Sequence, residues 1–145
     1  MRYWLWITTI ENGLIAIENG VIGISERFKK PLDHILKGDR GFIYIKTSRG
    51  EYPITKPGIL AEFVICSDIY YDKMPMFKPK DPTSSEIYPI RFAIKAENVF
   101  ERLDPFEKYV ERLEFIKNKG RWGMYFMGKA MVEISKEDYE IIRKL

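Results

Sequence analysis

Cysteine occurs once in this chain, at Cys66, and histidine once, at His34. A single thiol excludes an intrachain disulfide, and that scarcity fits a reducing, cytoplasmic address. One Cys and one His cannot build a zinc site of the usual Cys/His kind, so no metal is expected. The same shortage bears on nucleophilic catalysis. A Ser-His-Asp or Cys-His arrangement would have to use His34, and its surroundings, LDHILKG, hold neither a nucleophile nor an oxyanion loop. His34 therefore reads as a surface or structural residue. There is no phosphate-cradling Gly loop of either common type, no repeat and no low-complexity tract. Long apolar runs are missing too. The opening MRYWLWITTIENG is broken by Glu11, which makes it too short for a membrane span, and it lacks a signal peptide's cleavage pattern. No cofactor is implied, and scattered carboxylates leave a carboxylate pair as the one enzymatic option.

What the chain has in quantity is aromatic rings and lysine. Its 145 residues suit one domain, 1–145, of a size that buries roughly two thirds of its unfolded surface. Nine Tyr, nine Phe and three Trp make up 14% of the chain, more rings than a small core usually takes in, so some are expected to line a cleft or surface. Twenty-four Lys and Arg against 21 Asp and Glu leave a net charge of +3, which permits a nucleic-acid partner without requiring one.

Hydrophobic patterning lays out the elements. YWLWITT, residues 3–9, reads as a buried first strand. Leu14, Ile15 and Ile17 suit a short helix stopped by Gly20, and VIGIS then leads into the basic loop ERFKKP. LDHILKGD predicts a helical turn ended by Gly38, and Asp39 beyond it a turn carboxylate that satisfies backbone N–H groups. GFIYIKT and ILAEFVICSDI are strands. KMPMFKPKDPTSSE, with three prolines, is the one long loop, long enough for a functional or lid role. YPIRFAIK resumes strand alternation, with Ile90, Phe92 and Ile94 on one side and Arg91 and Lys95 on the other. Tyr109, Val110, Leu113 and Ile116 predict an amphipathic helix over 105–120, closed by Gly120. RWGMYFM then reads as a strand with Trp122, Met124 and Phe126 turned to the core, and ISKEDYEIIRKL as a final helix N-capped by Ser135. The order implies an α+β fold with a mixed, strongly curved sheet.

Rings and cations gather in three places: rings alone on the face of the first strand carrying Trp4, Trp6 and Thr8, and both together in the loop with Arg27, Phe28, Lys29 and Lys30 and in Lys117, Lys119, Arg121, Trp122, Tyr125 and Lys129. Cations neutralise phosphates and rings stack on bases, so these are ingredients for single-stranded or flipped-base recognition.

The order and spacing of YWLWITT, VIGIS with its basic loop, LKGDRGFIYI, GILAEFVICSDIYYD, YPIRFAIK and FIKNKGRWGMYFMGKAMVEISKEDYEII resemble the EVE domain family from end to end, most closely its stand-alone archaeal members. The resemblance implies a PUA-like curved mixed β-barrel flanked by short helices, related to the YTH and ASCH domains. It implies a non-catalytic module that reads a modified or flipped base in RNA or DNA, with no cofactor. Carried over residue by residue, it implies a ligand pocket at Trp4, Trp6, Thr8, Ile22, Gly23, Ile24, Ser25, Phe28, Phe42 and Tyr44. Phosphates would fall to Arg27, Lys29, Lys30, Lys119, Arg121 and Lys129. Ile22 stands where relatives carry a Trp, so either Phe28 or Trp6 supplies the ring or the ligand differs. The alternative is a small-metabolite-binding protein or enzyme using the same barrel-side pocket, marked by carboxylates such as Asp39 or Glu62 converging on it without a basic rim.

Overall fold

The computed structural model describes residues 1–28, 30–49, 53–79 and 81–144, and for residues 30 and 31 the backbone alone. The elements are β1 (Tyr3–Thr8), α1 (Ile10–Asn19), β2 (Val21–Ile24), β3 (Arg40–Ile45), β4 (Gly58–Ile65), β5 (Tyr70–Tyr71), β6 (Ile90–Pro105), β7 (Met131–Ile134) and α2 (Lys136–Lys144). Among the described residues they form one curled mixed sheet in the order β2-β6-β4-β3-β1-β7, with β5 on β6. Only β1 and β3 pair in parallel, Tyr3 beside Arg40 and Thr8 beside Ile45; every other pairing is antiparallel.

β1 and β3 are buried on both faces, because side chains alternate along each strand and each face has its own cover. Trp4, Trp6, Ile43 and Ile45 enter one core with Ala16, Ile22, Phe63 and Phe92. Leu5, Ile7, Phe42 and Tyr44 enter a second with Phe106, Leu113, Phe126 and Tyr139. Each such apolar side chain contributes about 1.5–3 kcal/mol when fully buried, so the β1–β3 pair anchors both cores. The pair approaches closely at Gly41, where an added Cβ would sit 2.4 Å from the Trp4 carbonyl oxygen.

Local chemistry ends the helices much as the sequence predicts. Thr9 caps α1 by accepting from the Asn12 N–H, and Gly20 closes it at φ 68, a left-handed conformation that a side chain disfavours. Ser135 Oγ accepts from the Asp138 N–H at the start of α2. Asp39 is the expected turn carboxylate: it accepts from the backbone N–H of Arg2 and Leu36 and from the Trp4 indole N–H.

Three expectations need correction. LDHILKGD does not make an α-helical turn; a 3-10 turn covers Lys30–His34. No α-helix spans 105–120 either. A 3-10 turn covers Phe106–Tyr109, and irregular chain follows, although Tyr109, Val110, Leu113 and Ile116 are all buried as their spacing implies. The reason lies in the backbone donors. The N–H groups of Glu114 and Phe115 go to the buried carboxylate of Asp138, and those of Lys117 and Asn118 to the Tyr125 hydroxyl. Distant side chains thus replace the i−4 carbonyls a helix would use. Nor is RWGMYFM a strand. Lys119–Tyr125 is 3-10, with Arg121 at a non-helical kink, and Trp122 and Phe126 pack on Phe106 at ring-centroid distances of 5.7 and 5.2 Å.

Alternation in β6 leaves Ile90, Phe92 and Ile94 in the core and Lys95 exposed, but Arg91, on the Lys95 side, is completely buried. The proline-rich loop folds over it. Arg91 Nε donates to the Tyr88 carbonyl at 3.1 Å, Nη2 donates to the carbonyls of Ile87 (3.1 Å) and Met74, and Nη1 lies 3.5 Å from the Asp72 carboxylate. One guanidinium therefore pins both ends of that loop.

Candidate functional site

A cleft of about 620 Å³ opens at the carboxyl ends of β1 and β3, between the end of β2 and the segment leading into β7. β2 and β7 are the two ends of the strand order, so the cleft sits where the curled sheet does not close on itself. Among the described residues, six rings line it: Trp6, Phe28, Tyr44, Tyr88, Trp122 and Phe126. Tyr44 and Phe126 are stacked, with centroids 4.3 Å apart. Burial raises the Tyr44 phenol well above its ordinary range, so its hydroxyl stays protonated. The cations on the cleft are Arg27, Lys46 and Lys129, and no carboxylate lines it among the described residues.

The polar groups of the lining fall into two sets. Some are already engaged. Asn12 pairs with the Lys78 backbone through both ends of its amide, at 2.9 and 2.7 Å. Ser25 donates its hydroxyl to Glu86, whose other oxygen accepts from the N–H groups of Ile87 and Tyr88. Other groups have no partner. Trp6 Nε1, Thr8 Oγ1 and Tyr44 Oη make no hydrogen bond among the described residues, although these side chains are only 2%, 7% and 3% exposed. Among the described residues, the fully occluded side-chain atoms without a hydrogen bond are Ser48 Oγ and Arg91 Nη1, neither of them in the lining. The three free groups are therefore not sealed from solvent, and all three residues line the cleft.

Glu86 clasps the proline-rich loop to β2. Burial pushes its carboxyl up, but the hydrogen bonds from Ser25, Tyr88 and Ile87, with Arg27 nearby, outweigh that and hold it below the usual carboxylate range. A depressed carboxyl stabilises the fold above its unfolded value and loses that contribution as pH falls through the folded one. Glu86→Gln should therefore be less stable than the parent at neutral pH. The difference should vanish once acid carries the medium below the ordinary carboxylate range, as denaturant midpoints across pH would record.

The structure distributes the residues singled out from sequence unevenly. Trp6, Thr8, Gly23, Ile24, Ser25, Phe28 and Tyr44 line the cleft, as do Arg27 and Lys129. Trp4, Ile22 and Phe42 do not. Trp4 is 1% exposed and turned to Asp39, Ile22 is sealed in the first core, and Phe42 packs on Tyr139 in the second. Lys119 donates to the Leu113 carbonyl instead of facing the cleft, and Arg121 is exposed outside it. Lys29 lies outside the described residues, and so does the side chain of Lys30. The weights of two neighbours are reversed: Trp122, expected to be core, is a half-buried wall of the cleft, whereas Arg121 is not at it.

Sequence reasoning missed Lys46, Tyr88 and Asn12. Lys46 directly follows a strand ending in the Tyr44 motif, and that adjacency was the available clue. Tyr88 reaches the cleft through the folding of the proline-rich loop, and Asn12 through the packing of the first turn of α1. The carboxylates that would mark a metabolite site are elsewhere. Asp39 serves backbone donors, and Glu62 is buried among Tyr139, Arg40 and Asn98. That setting, burial first and the Glu62 hydrogen bond next, raises the Tyr139 phenol to about 12. His34 and Cys66 are exposed and absent from the lining, and no group of three or more His, Cys, Asp or Glu is arranged to hold a metal among the described residues. Nor is any helix among them long and apolar enough to cross a membrane.

Comparison with known proteins places this architecture. A family model described as the EVE domain matches residues 2–145. A UPF0310 protein of Pyrococcus abyssi is 35% identical over 145 residues, covering the whole chain and 99% of that protein. Among solved structures, human THYN1 protein in complex with 5-methylcytosine-containing DNA aligns over 99% of this chain and 96% of its own at 15% identity, with a TM-score of 0.61. The Mmi1 YTH domain aligns over 99% of this chain and 73% of its own at 12% identity, also with a TM-score of 0.61. At these identities the two structures speak to fold, and they share the PUA-like curled barrel.

Proposed function

The chain belongs to the EVE domain family, and on that premise we propose that it is a non-catalytic reader of a modified or flipped base in RNA or DNA, acting in the cytoplasm. The observation that carries this reading is the composition of the cleft: six rings, three cations and no carboxylate among its described lining residues. A base displaced from its stack is flat and needs ring faces. The backbone on either side of it is anionic and needs cations at the rim. The cleft offers both in one place, and its volume suits a nucleotide-sized group. The complex of human THYN1 with 5-methylcytosine-containing DNA supports the same reading by analogy of fold.

Anisotropy titrations test it. Short single-stranded RNA and DNA, with and without a central 5-methylcytosine, should bind with an affinity that falls steeply as salt rises. No binding across the whole set, or binding indifferent to salt, overturns the proposal. Substitutions sharpen the test. Trp122→Ala should weaken binding about tenfold or more, the usual loss of one stacking platform. Arg121→Ala should leave it unchanged, because Arg121 stands outside the cleft.

A further inference from the structure

Rings and rim charge make the cleft fit a planar anionic ligand, but they do not say which edge such a ligand presents. The unpaired groups do. Trp6 Nε1, Thr8 Oγ1 and Tyr44 Oη belong to side chains at least nine-tenths buried, and none has a partner among the described residues. Solvent can serve these atoms in the free protein, so a ligand that displaces it must offer a matching partner or lose that hydrogen bond. The three differ in chemistry. An indole N–H can only donate, while a hydroxyl serves either way. Trp6 therefore demands an acceptor, and Thr8 and Tyr44 accommodate what remains.

The contrast with Trp4 is instructive. Two residues earlier on the same strand, its indole N–H is met internally by the Asp39 carboxylate. No carboxylate stands in the lining to do the same for Trp6. The Trp6 ring also meets Phe77 edge to face, with centroids 6.4 Å apart, which fits a wall of the cleft more than a free stacking platform. From this the geometry points to a specificity device: Trp6 donates its indole N–H to an acceptor atom, above all a ring carbonyl, on a planar heterocycle held in the cleft, with the Thr8 hydroxyl beside it on the same face of β1 and the Tyr44 hydroxyl reaching another polar atom from the opposite face of the sheet.

This deepens the base-reading proposal, resting on it only for the identity of the heterocycle as a nucleobase. Small probes separate the two. In nitrogen–proton correlation spectra, the Trp6 indole peak is identified by its loss in Trp6→Phe. Millimolar 2-pyridone, which carries a ring carbonyl, should move that peak. Fluorobenzene, flat but without a comparable acceptor, should bind about tenfold more weakly and leave the peak in place. Tyr44→Phe removes one oxygen at nearly constant volume and should narrow the preference for 2-pyridone. If Trp6→Phe does not fold, the Tyr44→Phe comparison still decides. Equal binding of the two probes, an unmoved Trp6 peak, or no response to either probe overturns the inference. A clear preference for 2-pyridone alongside failure to bind any oligonucleotide would retain the acceptor-reading cleft and discard the nucleic-acid function.

Discussion

Replacing Arg91 with alanine lowers stability by about 3–5 kcal/mol, the usual loss when one partner of a buried charged network is removed. The guanidinium is completely buried, and its hydrogen bonds go to three backbone carbonyls, those of Met74, Ile87 and Tyr88. Without it these carbonyls face a cavity, and the Asp72 carboxylate loses its counter-charge. Lysine does not rescue the site, because one ammonium on a flexible stem cannot reproduce the planar fork that reaches both ends of the loop. Urea unfolding measures the loss. An Arg91→Ala protein within 1 kcal/mol of the parent would show that the loop holds itself. Because Tyr88 lines the cleft from the far side of this anchor, ligand affinity should also fall in any Arg91 variant that remains folded.

The second large effect is electrostatic. Removing all three rim cations together, Arg27→Ala, Lys46→Ala and Lys129→Ala, should weaken oligonucleotide binding on the order of a hundredfold at low salt. The diagnostic is the salt dependence itself. For single strands each phosphate contact contributes about 0.7 to the slope of log affinity against log salt, so losing three should flatten it by about 2. Arg27 and Lys129 enter from opposite sides, one beyond β2 and the other before β7, and Lys46 follows β3. A backbone entering the cleft would therefore meet charge on both flanks. An unchanged slope would place the phosphates elsewhere on the surface. Arg27 and Lys129 are exposed and Lys46 is half-buried, so thermal unfolding of the triple variant and of each single variant separates any loss of fold from loss of binding.

Much of this molecule is dictated by nearest neighbours along the chain, and that much is legible without coordinates. Continuous runs of aromatic and β-branched residues identify β1, β3 and β4, which are buried on both faces, and alternation identifies the start of β6. Gly20 and Ser135 mark helix ends because each satisfies, or leaves room for, a backbone group within a few residues, whereas the Thr9 cap of α1 reads in sequence as the end of a strand. The family resemblance rests on the same local motifs, and the comparisons uphold it. Residues 105–130 escaped this logic. Their apolar spacing is helical and their residues are buried, yet four backbone donors there are claimed by Asp138 and Tyr125.

The cleft divides along the same line. Its rings and hydroxyls on β1 were assignable, since a strand fixes which residues share a face. Which of them would keep a free polar atom was not. Trp4 and Trp6 are equivalent by alternation, and only the long-range packing of Asp39 against β1 silences one indole N–H and leaves the other open. Likewise, Arg121 and Trp122 are neighbours whose roles were exchanged by a 3-10 kink no pattern announces. Sequence alone determined β1, β3, β4 and the start of β6, the Gly20 and Ser135 helix ends, the family and the supply of rings and cations, all set by local stereochemistry. Tertiary structure decided which of those rings, cations and donors meet, because that depends on partners many residues away that compete for the same hydrogen bonds.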